Sequence, residues 1–156
     1  MEKATFAAGC FWGVEENFRN LAGVTDTKVG YSGGTKDNAT YKDVCGGNTG
    51  HAEVVEVTFD PAVLSYQDLV KFFFEIHDPT TLNRQGPDYG DQYRSAIFFH
   101  SPEQEATARA VIETLQKESR LAGRPIVTQI AAAQTFWDAE EYHQKYLAKQ
   151  GLKVCH

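Results

Sequence analysis

No stretch of this chain approaches the ~20 consecutive apolar residues that a membrane-spanning helix needs. Basic residues are sparse and scattered: 15 Lys and Arg stand against 21 Asp and Glu, for a net charge of -6. A nucleic-acid partner needs a clustered basic face, so neither nucleic acid nor membrane is expected. Cysteine is scarce, limited to Cys10, Cys45 and Cys155. An odd count at wide spacing makes no disulfide framework. With no C-x-x-C and no Cys/His pair at zinc-finger spacing, a structural zinc site is not expected either. The opening MEKATFAAGCFW lacks a secretory apolar core, because charge, Thr and Gly interrupt it. The expected compartment is the cytosol, where scattered cysteines serve as small buried hydrophobes or as reactive thiols. Internal repeats and low-complexity tracts are absent.

What is present suits one soluble domain. The 156 residues are 42% apolar and 23% charged, enough for a real core. Ala4–Gly9 reads as a strand, Gly13–Leu21 as a helix, and Val24–Tyr31 as a second strand. A long glycine-rich loop then runs from 32 to 50. HAEVVEVTFDP reads as a strand, Ser65–Ile76 as an apolar helix, and His77–Gln92 as a second long loop. RSAIFFH is a strand. SPEQEATARAVIETLQKES is a helix, with Ser101 as its cap, Pro102 at its first position and acidic residues in its first turn. PIVTQIAAA is a strand and Asp138–Lys149 a final helix. Strands and helices mix without regular βαβ alternation, which predicts a two-layer α+β domain with a mixed sheet. The expected division is a single domain over 1–150 and a mobile tail over 151–156.

Cys10 lies where a strand hands over to a helix. A helix N-terminus favours thiolate and is expected to lower the thiol pKa from about 8.5. The competing reading is a buried cysteine packing like an alanine. Phe11 and Trp12 are bulky for a helix start, and two aromatics beside a thiol fit an apolar pocket flanking a nucleophile. In HAEVVEVTF, strand alternation puts Glu53 on one face with Val55, Val57 and Phe59. A carboxyl there is either partly desolvated, with a raised pKa suited to proton donation, or at the strand end and in solvent. Glu56 points the other way. Tyr41 and Tyr93 each lie near the end of a glycine-containing loop, and their hydroxyls can donate to a substrate oxygen or simply pack. Asp88 either binds substrate or organises its loop. His51 and His143 read as structural. Cys155, in a tail without core pattern, is either an idle thiol or one free to reach an oxidised Cys10.

Taken together, GCFWGVEENF, VGYSGG, YKDVCGGNTGHAEVVEV, HDPTTLNRQGPDYGDQYRSAIF and AEEYHQKYL resemble the type-A peptide methionine sulfoxide reductases, from about Thr5 to Leu147. The resemblance implies a ferredoxin-like two-layer α+β sandwich. It implies reduction of the S epimer of methionine sulfoxide, free or protein-bound, in protein repair under oxidative stress. Cys10 would be the nucleophile, and Phe11 and Trp12 would wall the pocket for the substrate's terminal methyl group. Glu53 would protonate the sulfoxide oxygen, Tyr41 and Tyr93 would hydrogen-bond it, and Asp88 would orient the substrate. Cys10 would pass through a sulfenic acid to a disulfide recycled by thioredoxin, with no metal or organic cofactor, in a monomer. The chain departs from many members in its short tail, GLKVCH. That tail still offers Cys155 as the resolving cysteine, with Cys45 the second candidate. A second departure, Trp137–Asp138, is expected to leave the chemistry untouched. Two other readings compete, another thiol enzyme (a hydrolase or a peroxidase) and a non-catalytic binder. A Cys–His hydrolase needs a base near Cys10, and every histidine is distant in sequence. A thiol peroxidase would consume hydrogen peroxide without any sulfoxide. A non-catalytic binder of oxidised methionine is the remaining alternative, and the intact Cys10 and Glu53 argue against it.

Overall fold

The computed structural model describes residues 1–35, 37–46, 49–117 and 124–150. The tail expected to carry Cys155 lies outside them. In chain order the elements are β1 (Glu2–Ala8), α1 (Phe11–Arg19), β2 (Val24–Ser32), α2 (Tyr41–Cys45), β3 (Ala52–Phe59) and α3 (Tyr66–Glu75). A two-residue pair follows, β4 (Arg84–Gln85) and β5 (Asp88–Tyr89), then β6 (Ser95–Phe99) and α4 (Pro102–Gln116). The described chain closes with β7 (Gln129–Ala132), β8 (Trp137–Asp138) and α5 (Tyr146–Gln150). The main sheet runs β7-β6-β1-β3-β2-β8. β6 and β7 are parallel, and the other pairings in this sheet are antiparallel. The expected α+β architecture with a mixed sheet is therefore present.

The two faces of the sheet are covered differently, and the pattern of side chains says why. Phe6, Val29, Val55, Val57 and Ile97 face a layer made by Val14 and Phe18 of α1, Leu69, Val70 and Phe73 of α3, and Ala108 and Val111 of α4. Each large side chain so buried contributes roughly 1.5–3 kcal/mol. The opposite face is small: Ala7, Ala52, Val54, Ala96 and Phe98, covered by Ala131, Ala133 and Phe136. Since β7 and β8 occupy opposite edges, the chain between them crosses this face. Gly30 of β2 makes the close approach possible, because a Cβ there would lie 2.4 Å from the Trp137 carbonyl oxygen and 2.7 Å from the Phe136 ring.

Both long loops hold short elements that composition did not announce. Within the first, Thr40 and Asp43 form a reciprocal cap that starts α2 at Tyr41. In the second, β4 and β5 form a small hairpin. The helix expected over Asp138–Lys149 is not formed. Asp138 pairs with Gly30 instead, Glu141–His143 is a single 3-10 turn, and Lys145 adopts φ 53°, leaving only α5 helical. Tertiary bonds override the local preference. The Gln144 carboxamide accepts from Val29 N–H at 2.9 Å and donates to Val29 C=O at 2.8 Å, and Lys145 N–H donates to buried Glu15 at 2.6 Å.

Candidate active site

The site assembles where β1 turns into α1. Gly9 takes φ 100°, a left-handed conformation that a side chain resists, and a Cβ there would meet Gln85 Cγ at 2.8 Å. The same Gln85 clamps Asp78 in both directions, accepting from its N–H and donating to its C=O, each at 2.8 Å. The hairpin that carries Asp88 is thus tied to Asp78, and its Gln85 packs against the turn that carries Cys10.

Cys10 is the cap residue of α1 and is half-buried. Its side chain makes no cap hydrogen bond, but the nearby N–H groups of Trp12 and Gly13 favour thiolate, as expected of a helix start. They do not prevail. Burial, then the Glu53 carboxylate and, to a lesser degree, Asp88, push the thiol up to about 11. The expected lowering is corrected: desolvation and a facing carboxylate outweigh two helix N–H donors.

Glu53 stands on β3 opposite Tyr31 of β2, at 1% exposure. It does not reach solvent. Oε1 accepts the N–H of Phe11 at 3.2 Å, and Oε2 has no hydrogen-bond partner among the described residues. Burial raises its pKa to about 8, with the Phe11 N–H opposing and Asp88 adding to the rise. At pH 7 such a carboxyl is roughly nine-tenths protonated, with an oxygen free to carry the proton.

Tyr41, Tyr93 and Asp88 come together around this pair. Burial raises the Tyr41 hydroxyl above its usual range, helped by a hydrogen bond with Cys45 and by the charges of Glu53 and Tyr93. Burial also raises Tyr93, to about 12, with contributions from Glu53, Cys45 and Asp88. Both phenols therefore remain donors at neutral pH. Phe11 is buried and Trp12 half-buried. The Phe11 ring lies 5.8 Å from Tyr31 and 6.4 Å from Tyr41, and Trp12 stacks on Tyr146 at 4.0 Å.

Four residues close the site that were not singled out as functional from sequence: Tyr31, Glu140, His143 and Tyr146. Glu140 accepts the Tyr31 hydroxyl at 3.0 Å and the Tyr41 N–H at 3.1 Å. Burial opposes its charge, but these donors and its own N–H hold its pKa below the usual range. The imidazole of His143 accepts the Trp12 indole N–H on Nδ1 at 2.9 Å. It thus serves Trp12, although it was distant from Cys10 in sequence. The block AEEYHQKYL was the only signal for Glu140, His143 and Tyr146, and it carried no role for them. Cys45 is exposed, on α2, and Cys155 lies outside the described residues.

Among the described residues, no group of three or more His, Cys, Asp or Glu is placed to hold a metal, and no helix is long and apolar enough to cross a membrane. The arrangement pairs a buried acid with a thiol, beside two phenol donors and an aromatic wall. It suits delivery of a proton to an oxygen while sulfur attacks its neighbouring atom.

Comparison with known proteins agrees with this chemistry. The family model for peptide methionine sulfoxide reductase matches residues 2–156. Peptide methionine sulfoxide reductase MsrA of Acidobacterium capsulatum is 61% identical over 156 residues, covering 100% of this chain and 99% of the relative. Methionine sulfoxide reductase A of Corynebacterium diphtheriae superposes with a TM-score of 0.92 at 39% identity, over 99% of this chain and 77% of that one. Mxr1 from Saccharomyces cerevisiae in complex with Trx2 superposes with a TM-score of 0.65 at 33% identity, over 93% of this chain and 84% of that one.

Proposed function

The chain belongs to the peptide methionine sulfoxide reductase family, and from that premise we propose that it reduces the S epimer of methionine sulfoxide, free or within a polypeptide, through Cys10. The observation that carries the proposal is Glu53: buried, held by the Phe11 N–H at the start of α1, and protonated at neutral pH. A sulfoxide oxygen leaves sulfur only when protonated, so thiol attack needs a proton donor in place.

The substrate's terminal methyl group enters the wall formed by Phe11 and Trp12. Asp88 orients the remainder. Glu53, with the Tyr41 and Tyr93 hydroxyls, protonates and holds the sulfoxide oxygen as the Cys10 sulfur bonds to the substrate sulfur. The S–O bond breaks, the oxygen with its proton passes to the Cys10 sulfur, and the bond between the two sulfurs breaks with its electron pair going to the substrate, so that methionine leaves as a thioether and Cys10 becomes a sulfenic acid. The thiol proton of Cys10 restores Glu53. Substrate sulfur gains two electrons and cysteine sulfur loses two. The Cys155 thiol then displaces hydroxide from Cys10, releasing water and forming a Cys10–Cys155 disulfide. A dithiol reductant reopens it by exchange. The yeast relative's complex with Trx2 supports thioredoxin in that role. No metal or organic cofactor enters this scheme, which runs in a cytosolic monomer.

The nearness of Cys45 to the Tyr41 hydroxyl favours one second reading, in which Cys45 resolves the sulfenic acid in place of Cys155.

The test is a single turnover on pre-reduced protein with separated S and R epimers, counting thiols before and after and mapping any disulfide. Methionine from the S epimer alone, two thiols lost and a Cys10–Cys155 bridge is the expected result. A Cys10–Cys45 bridge selects the second reading. No methionine from either epimer sinks the proposal.

A further inference from the structure

The Trp12 indole is constrained from two directions. Tyr146 stacks on it at 4.0 Å with the planes 16° apart, which fixes the tilt of the ring but leaves it free to slide in its own plane. The N–H bond to His143 Nδ1, at 2.9 Å, removes that freedom. His143 in turn has little room to move. Its ring sits 4.2 Å from Tyr142, 4.5 Å from Tyr41 and 5.2 Å from Phe11, and its backbone N–H is bonded to Glu140 C=O at 2.9 Å. As acceptor on Nδ1, the neutral ring carries its proton on Nε2, which is buried and has no partner among the described residues. An imidazole kept only for packing would be expected to pair that N–H. Among the described residues Nε2 goes unmet, while Nδ1 faces Trp12 as an acceptor.

We infer that His143 is a positioning residue for the reaction: by accepting the Trp12 indole N–H it sets the wall of the pocket for the terminal methyl group, and with it the preference for methyl over larger sulfoxide substituents. The inference rests on the proposed role of Trp12 in that pocket. His143 does not touch the reacting atoms. Its effect is on fit, so it is felt in substrate binding and in discrimination between substituents.

The experiment compares kcat and KM for S-methionine sulfoxide and its S-ethyl homologue in wild type, His143→Leu and His143→Asn, with a small-molecule dithiol as reductant. Asn keeps an acceptor near the position of Nδ1, and Leu removes it at similar volume. One extra methylene in an apolar pocket is worth on the order of 10-fold or more, so wild type should favour methyl by about that factor. In His143→Leu, KM for the methyl substrate should rise roughly tenfold with kcat within about threefold, and the methyl preference should collapse. His143→Asn should restore most of both. The Trp12 indole N–H proton resonance should move upfield and exchange faster with solvent in the Leu variant alone. Equal behaviour of the Leu and Asn variants, whether both intact or both impaired, overturns the inference. If the Leu variant does not fold, His143→Gln, whose acceptor sits near the Nε2 position, replaces it in the same comparison with Asn. A wild type that reduces neither sulfoxide overturns the proposed function and this inference together. An active wild type with an unaltered methyl preference in the variants overturns this inference alone.

Discussion

Replacing Glu53 by Gln separates its two consequences, one for rate and one for stability. Gln keeps an oxygen for the Phe11 N–H and nearly the same volume, but it has no proton to give. General acids contribute about 10²–10⁴-fold, so the sulfoxide-reducing step should slow by that factor while KM changes little. In wild type, the rate of that step should fall as pH rises through about 8, where Glu53 loses its proton. In the variant, this limb should vanish. Stability follows the opposite comparison. Burial raises the carboxyl from an ordinary 4.5 to about 8, so the unfolded chain loses this proton more readily than the folded one. For a raised pKa, the contribution is complete below the unfolded value and is lost as pH climbs through the folded value. At about 1.4 kcal/mol per tenfold change in proton affinity, wild type should lose on the order of 3 kcal/mol relative to Glu53→Gln between about pH 5 and pH 8. For a chain of this length, that is a relative drop in Tm of roughly 6–12 °C. Thermal melts of both proteins across this range, with rapid-quench rates alongside, provide the measurement. A Tm difference independent of pH would show that Glu53 is not desolvated as described. An unchanged rate would remove it as the acid.

Three other substitutions test separate parts of the account. Cys10→Ser should abolish methionine formation while leaving Tm within a few degrees of wild type, and retained activity would remove Cys10 as nucleophile. Cys155→Ser should release one equivalent of methionine and then stall with thioredoxin, and undiminished steady-state cycling would move the resolving role to Cys45 or to direct attack by the reductant. Gly30→Ala places a Cβ against the Trp137 carbonyl and the Phe136 ring. It should cost about 1–3 kcal/mol in urea unfolding by displacing β8, and a neutral result would mean that the crossing segment yields without loss.

Local signals carried the sequence reading where the structure itself is local. Ser101 and Pro102 start α4 as expected, with the Ser101 hydroxyl accepting from Gln104 N–H. The alternation in β3 placed Glu53 on the correct face. It did not show whether Glu53 met solvent, because that depends on α1 and β2 closing over the strand end. The segment after β8 was misread for the same reason. Its composition favours a helix, yet Gln144 binds the backbone of Val29, 115 residues away, and Lys145 binds Glu15, 130 residues away. Neither partner can be read from the segment itself. Glu140 and His143 acquire their roles only through Tyr31, Tyr41 and Trp12, which the fold brings to them.

The thiol presents the sharpest conflict between local and global reading. A Cys10 pKa near 11 looks unsuited to a nucleophile, yet part of that rise comes from an ionised Glu53. The two groups share one site, and their titrations are linked. In the resting state near neutrality Glu53 is protonated, its charge is absent, and only burial and Asp88 oppose the Trp12 and Gly13 N–H donors at the sulfur. The site thus keeps acid and thiol both protonated, and it disfavours the thiolate most strongly when the acid is spent. Glu53→Gln fixes the uncharged condition permanently. Iodoacetamide alkylation of Cys10, followed against pH, should therefore show a lower apparent pKa in Glu53→Gln than in wild type, even though the variant is the slower reductase. An apparent pKa that is unchanged, or raised, would mean that Glu53 does not act on the thiol through its charge, and the coupling between acid and nucleophile would have to be abandoned.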